Sequence, residues 1–137
     1  MRFLLDTNVV SEPVSASPNP KVIKRLTAHG AACAIPAPVW HELVFGAARL
    51  RRGKRKTALE DYLGKVVQAT FPILPYDSDA AGWHAAERAR LERAGRAAPF
   101  VDGQIAAIAH TEGLILVTAN PKDFARFGEL DVVDWAA

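Results

Sequence analysis

With 137 residues, 50% of them apolar, and a net charge of +2, the chain has the size and composition of one folded domain with a real core. No stretch approaches the roughly 20 uninterrupted apolar residues of a membrane span, and the start, Met1 to Asp6, turns acidic too soon for a signal peptide, so a cytoplasmic protein is expected. Its one cysteine, Cys33, excludes a disulfide framework and a cysteine zinc site, and its neighbours Ala32 and Ala34 point to a small buried residue.

Phe3, Leu4 and Leu5 form a short apolar run ending in Asp6, which predicts a buried parallel strand delivering an acid at its carboxyl end. Pro13, Pro18 and Pro20 interrupt the chain. Lys21 to Ala28 then reads as a short helix, with Pro20 suited to a first helical position and Gly30 as its stop. Ala31 to Ile35 reads as a second strand. Pro38 opens a helix in which Val39, Leu43, Gly46 and Leu50 recur at helical spacing, with Glu42 beside that stripe. A basic turn around Gly53 leads into a helix over Thr57 to Ala69, with Leu59, Tyr62, Leu63, Val66 and Val67 on its packed face. Pro72 to Tyr76 predicts a brief strand and Ser78 to Arg93 a long helix, solvated on one side and ended by Gly95. Asp102 heads the run Ile105, Ile108 and Ala109, and Gly113 stops that helix before the strand Leu114 to Val117. A short helix and a strand near Val132 and Val133 close the chain. Such alternation specifies an α/β fold, a three-layer domain with a mainly parallel central sheet, whose functional groups gather where strand carboxyl ends meet helix starts.

Asp6, Glu42 and Asp102 stand where surface solvation is not the ready explanation, since all three are expected to border the core. Singly, each has a plain alternative: Asp102 as a helix cap and Asp6 as the head of a turn in Asp6-Thr7-Asn8. Together, converging carboxylates repel one another and need a cation, and an all-oxygen donor set suits Mg²⁺ or Mn²⁺. Hard metal on such a cluster polarises a phosphodiester and ionises water, so phosphodiester hydrolysis is the natural reaction class. An acidic site repels nucleic acid unless something basic holds the backbone. Arg49, Arg51, Arg52, Lys54, Arg55 and Lys56 fall within eight positions; without them 11 basic residues face 15 acidic ones. This run is either a solvated turn or the candidate RNA-binding segment.

Four segments in order, LLDTNVVSE, APVWHELVFGA, FVDGQIAAIA and LVTANPKDF, resemble the PIN-domain family, specifically its VapC and FitB ribonuclease toxins of type II toxin–antitoxin pairs. The resemblance spans nearly the whole chain. It implies RNA cleavage with Mg²⁺ or Mn²⁺, Asp6 and Asp102 as metal ligands, Glu42 as a further acid acting directly or through water, and Asn8 and Thr118 as polar supports. Many relatives have Asp where this chain has Asn120. An amide brings neither full charge nor basicity, so either Asp123 takes part or three acids and the Asn120 amide suffice. The resemblance also implies a homodimer, a cognate antitoxin whose tail occupies the acidic pocket, no membrane partner, and DNA contact only through that antitoxin.

His29, His41, His84 and His110 show no ligand spacing, although His41 adjoins Glu42. Trp40, Trp83 and Trp135 read as core or interface, and Arg88, Arg90, Arg93 and Arg96 as a solvated face shared with Glu87 and Glu92. A haloacid-dehalogenase-type phosphotransferase would want an acid at Asn8 and leaves Glu42 idle. A receiver domain lacks its phosphoacceptor and lysine. A degenerate PIN fold acting only as a binding module is the alternative that Asn120 keeps open.

Overall fold

A five-stranded, wholly parallel sheet organises the chain: β1 (Phe3–Leu5), β2 (Cys33–Pro36), β3 (Ile73–Leu74), β4 (Ile115–Val117) and β5 (Val132–Val133), in the order β3-β2-β1-β4-β5. The structure is a computed structural model describing all residues, 1–137. β1 lies at the centre, with Phe3 opposite both Cys33 and Ile115 and Leu5 opposite Val117. A central parallel strand is covered on both faces, which is why all three of its residues are large, apolar and buried. The expected three-layer α/β/α arrangement holds. The chain builds β2 and β3 on one side of β1 and then crosses to add β4 and β5 on the other. The connections leaving β1 and β4 therefore diverge, which makes their carboxyl ends the switch point at which open α/β sheets form sites.

Eight α-helical segments supply the covering layers: α1 (Thr7–Val10), α2 (Pro20–His29), α3 (Ala37–Ala48), α4 (Lys54–Tyr62), α5 (Gln68–Thr70), α6 (Ser78–Arg93), α7 (Phe100–Glu112) and α8 (Pro121–Phe124). Asn19 caps α2 through Lys21 N–H at 2.9 Å, with Pro20 in the first turn as expected. Gly95 (φ 68°) and Gly113 (φ 66°) end α6 and α7 in left-handed conformation, the role assigned to each. α7 runs through the core, with Ile105, Ala106, Ala107, Ile108 and Ala109 all buried, and α6 packs along it.

Several boundaries differ from the sequence reading. α1 follows Asp6 directly where only a turn was expected. Gly30–Ala32 is a 3₁₀ turn, so β2 begins at Cys33 rather than Ala31 and extends to Pro36. The helix expected from Thr57 begins at Lys54, so half of the basic run is helical rather than a turn. Leu63–Val67 forms a π-helical turn that keeps Leu63 and Val67 inward and leaves Val66 exposed, contrary to its expected place on the packed face. The Tyr62 hydroxyl donates to the Val10 carbonyl at 2.6 Å, tying this helix to the end of α1, and burial pushes its pKa up to about 12.

Candidate active site at the sheet switch point

Asp6 leaves β1 with its backbone N–H donating to the Val117 carbonyl at 2.9 Å, which extends the β1–β4 ladder by one rung. Its side chain then has two fixed donors. Oδ1 accepts from Thr7 N–H at 2.8 Å, capping α1, and Oδ2 accepts from the Thr118 hydroxyl at 2.8 Å. Thr118, the first residue beyond β4, is fully buried, and its Oγ1 also accepts from Asn120 N–H at 3.1 Å. The Asn8 side-chain oxygen accepts from Ala119 N–H at 3.3 Å. The two strand exits are thus stitched together by hydrogen bonds of Thr118 and Asn8.

Asp102 is the third residue of α7, inside the first turn, while the cap position belongs to Pro99, which makes no side-chain bond. The capping alternative therefore fails: no protein hydrogen bond reaches the Asp102 carboxylate. Burial raises its pKa above the ordinary carboxylate value, and the negative charges of Asp6 and then Asp123 raise it further, with Arg126 opposing. Asp123 sits in the first turn of α8. The carboxylates of Asp6, just after β1, and Asp123, on α8, thus both bear on Asp102, with Arg126 as the one opposing charge.

Glu42 departs from expectation. It does not border the core: its side chain is 49% exposed, the His41 ring nitrogen lies 3.8 Å away, and it is not among the groups acting on Asp102. The reason is phase, because Val39, Leu43 and Ala47 take the inner face of α3. Glu42 instead lines an open depression with Val101 and Gln104, residues that flank Asp102 on α7. Asn120 precedes α8 with an exposed amide that has no protein partner.

No three acidic, histidine or cysteine side chains stand close enough to enclose a metal ion by themselves. That arrangement still fits Mg²⁺ or Mn²⁺, because Mg²⁺ is commonly bound through one or two carboxylates while keeping several waters and taking substrate oxygens. A half-buried, donor-free Asp102 under the charge of Asp6 has that chemistry, whereas zinc sites draw mainly on histidine nitrogen and cysteine sulfur, which are absent from this donor set.

The basic residues span two elements: Arg49 caps α3, Arg51 and Arg52 lie in the link, and Lys54, Arg55 and Lys56 form the first turn of α4. Only Lys56 is engaged by a backbone carbonyl, that of Ala48 at 3.2 Å, and none of the six pairs with an acid. Three cations at a helix N-terminus oppose the macrodipole, so the charge is placed against local helix stability.

Sequence reasoning set His84 aside and did not single out Tyr76, Gly103 or Arg126. His84 is 3% exposed, its Nδ1 lies 2.8 Å from the Tyr76 hydroxyl, and its ring packs against Phe100 with centroids 4.9 Å apart. A methyl group at Gly103 would overlap that ring. Burial and then Arg88 hold the His84 pKa below its ordinary value. Arg126 donates to the Ala97 carbonyl at 2.8 Å, fastening the link before α7. The one available cue was a glycine directly after Asp102 in an alanine-rich helix.

The expectations for Cys33 and the tryptophans hold. Burial pushes the Cys33 thiol up to about 11, which makes it inert. Trp135 is buried edge-on to Phe3, Trp83 stacks on His110 at 4.5 Å, and Trp40 packs on the core. Arg88 pairs with Glu92 on a solvated face as expected, but Glu87 is only 13% exposed and accepts from both Arg90 and Gly128 N–H, at 2.7 Å, so this part of the expected solvated face is a packed contact with the segment before β5. No helix is long and apolar enough to cross a membrane.

Residues 3–130 match the PIN domain family. Over 137 residues, 99% of each chain, the sequence is 31% identical to the tRNA(fMet)-specific endonuclease VapC of Shigella flexneri. Over 125 residues, 89% of this chain and 90% of the other, it is 34% identical to toxin FitB of Neisseria gonorrhoeae. A structure of FitAB bound to an IR36 DNA fragment is similar to this one with a TM-score of 0.90 and 29% identity, covering 98% of this chain and 96% of the other.

Proposed function

The chain belongs to the PIN-domain family, and from that premise we propose that it is a divalent-metal-dependent endoribonuclease, the toxin of a type II toxin–antitoxin pair. The observation that carries the reading is Asp102: a half-buried carboxylate with no protein donor, placed against the charges of Asp6 and Asp123 at the sheet switch point. Asp6 and Asp102 would hold hydrated Mg²⁺ or Mn²⁺, which when bound supplies the charge that polarises a phosphodiester and ionises water near neutral pH. Thr118 and the α1 N-terminus keep Asp6 in one orientation, and Asn8 braces the same turn. Asp123 supplies the negative charge that the Asn120 amide cannot, Asn120 lines the site, and Glu42 at the rim acts through water.

The six basic residues from Arg49 to Lys56 hold the RNA backbone, offsetting repulsion by the acids. Replacing Arg51, Arg52 and Arg55 with Glu is expected to weaken RNA binding at low salt. It should also flatten the salt dependence of the binding constant by about 0.7 in log–log slope for each phosphate that is no longer neutralised, with little change in saturated cleavage rate. Filter binding from low to moderate salt checks this, and an unchanged slope would remove the segment from the RNA interface. The proposed protein is a cytoplasmic homodimer neutralised by a cognate antitoxin, through which any DNA contact would come; similarity to toxin FitB and to FitAB bound to DNA supports the antitoxin partner.

The deciding experiment is cleavage of a structured RNA pool by antitoxin-free protein with Mg²⁺ or Mn²⁺, alongside EDTA and Asp6→Asn, with the cut ends sequenced. Discrete metal-dependent cuts, lost in the variant, are expected. The Asn120 amide favours one alternative, a binding module without nuclease activity; folded protein that binds RNA but cuts none of it under either metal would establish that instead.

A further inference from the structure

We propose that His84, held by Tyr76, is a positioning residue whose ring sets the first turn of α7 through Gly103 and so fixes where Asp102 stands relative to Asp6. The inference rests on the nuclease reading above and adds a determinant of the acid geometry outside the acids themselves.

The residues touch one another in an unbroken series. Tyr76 lies between β3 and α6, so its position follows from the edge of the sheet. Its hydroxyl is 2.8 Å from His84 Nδ1 on α6, and the other side of the imidazole lies so close to Gly103 that a methyl group there would overlap Nε2 and its neighbouring carbons. Gly103 follows Asp102. Phe100, two residues before Asp102, packs on the same ring, and Arg88 one turn further along α6 lies over Phe100 at 5.3 Å. The first turn of α7 is therefore held on both sides of Asp102 by a single side chain.

Two features separate this from ordinary core filling. Glycine inside a helix is disfavoured relative to alanine, so its presence at Gly103 requires a reason, and the approach of the ring is that reason. A buried imidazole also loses hydration that leucine would not, and it is retained with a polar partner at hydrogen-bond distance on a rigid element, the arrangement that locks a rotamer. Asp102 has no protein hydrogen bond of its own. Its placement is consequently set by the helix turn that carries it, and that turn is set by His84.

The test compares Gly103→Ala, His84→Ala, the double variant and Tyr76→Phe with the wild type. Mn²⁺ affinity is read from the free-ion EPR signal, with kcat, KM and Tm measured in parallel. Gly103→Ala and His84→Ala are each expected to weaken Mn²⁺ binding ~10-fold or more and to lower kcat with KM little changed. In the double variant the new methyl occupies the vacated space, and affinity should return to within about threefold of the wild type. Tyr76→Phe removes one oxygen and should weaken affinity in the same direction with a small change in Tm. Singles with wild-type Mn²⁺ affinity and kcat but lowered Tm would make His84 a packing residue only, as would a double variant no better than the singles. A wild type that neither binds Mn²⁺ nor cleaves RNA would overturn the nuclease reading itself, a result distinct from either.

Discussion

Asp102→Asn is expected to reduce RNA cleavage by about 10²–10³-fold or more while raising the stability of the metal-free protein at neutral pH. The two effects share one cause. Burial and the charges of Asp6 and Asp123 raise the Asp102 pKa in the folded chain, so between the ordinary carboxylate value of 3.8 and the raised one the folded state binds more protons than the unfolded state. Stability from this group is then greatest at acid pH, falls as pH rises through that window, and stays low above it. An uncharged amide of the same shape removes the penalty. In EDTA, the variant should unfold at a higher temperature than wild type at pH 7, and the difference should vanish toward the lower end of the window. Thermal unfolding across that pH range checks the sign; an amide variant less stable than wild type at pH 7 would mean that Asp102 is a structural group satisfied by its neighbours.

Thr118→Val should be the most damaging change that leaves every acid in place. The shape is kept, but the Thr118 hydroxyl both donates to Asp6 Oδ2 at 2.8 Å and accepts from Asn120 N–H at 3.1 Å, from a fully buried position. Removing it strips one fixed donor from Asp6 and one acceptor from the Asn120 N–H, at about 0.5–1.5 kcal/mol per hydrogen bond lost. Asp6 retains only its bond to Thr7 N–H, so its carboxylate gains rotational freedom, and metal affinity should drop ~10–100-fold. Urea unfolding and cleavage rates measured on Thr118→Val and Thr118→Ser separate the parts: serine keeps the hydroxyl and should recover most of both. Losses in the serine variant with valine close to wild type would mean that the methyl group matters and the hydroxyl does not.

The frame of the site was legible because it rests on local signals. Phe3-Leu4-Leu5 followed by Asp6, and Leu116-Val117 followed by Thr118, are short apolar runs that end in a polar residue, and alternation with helices makes such strands parallel and buried. The switch point between them follows from the order of connections. Elements decided by packing between distant segments were not legible. α1 is a single helical turn among Asn, Ser and Pro, and the Asp6 cap that starts it reads equally well as a turn. Asp102 resembled a cap because the three-residue offset from the cap at Pro99, through Phe100 and Val101, leaves no mark on the apolar spacing downstream. Glu42 flanked an apolar stripe in sequence, yet the phase of Val39, Leu43 and Ala47 turned it outward. His84 and Gly103 meet only because α6 packs along α7, which no periodicity within either helix encodes.

The central claim is that Asp6 and Asp102 act by holding a divalent cation, and the unfolding temperature of RNA-free protein titrated with Mn²⁺ tests it without any substrate. A ligand that binds only the folded state stabilises it by about 2.7 kcal/mol at 100 times its Kd, and the gain grows with the logarithm of concentration. The wild type should therefore rise by several degrees, while Asp6→Asn and Asp102→Asn should stay flat, the latter from its higher starting point. A wild type indifferent to Mn²⁺, or variants that rise in parallel with it, would contradict the account and leave the three acids without the cation that their arrangement calls for.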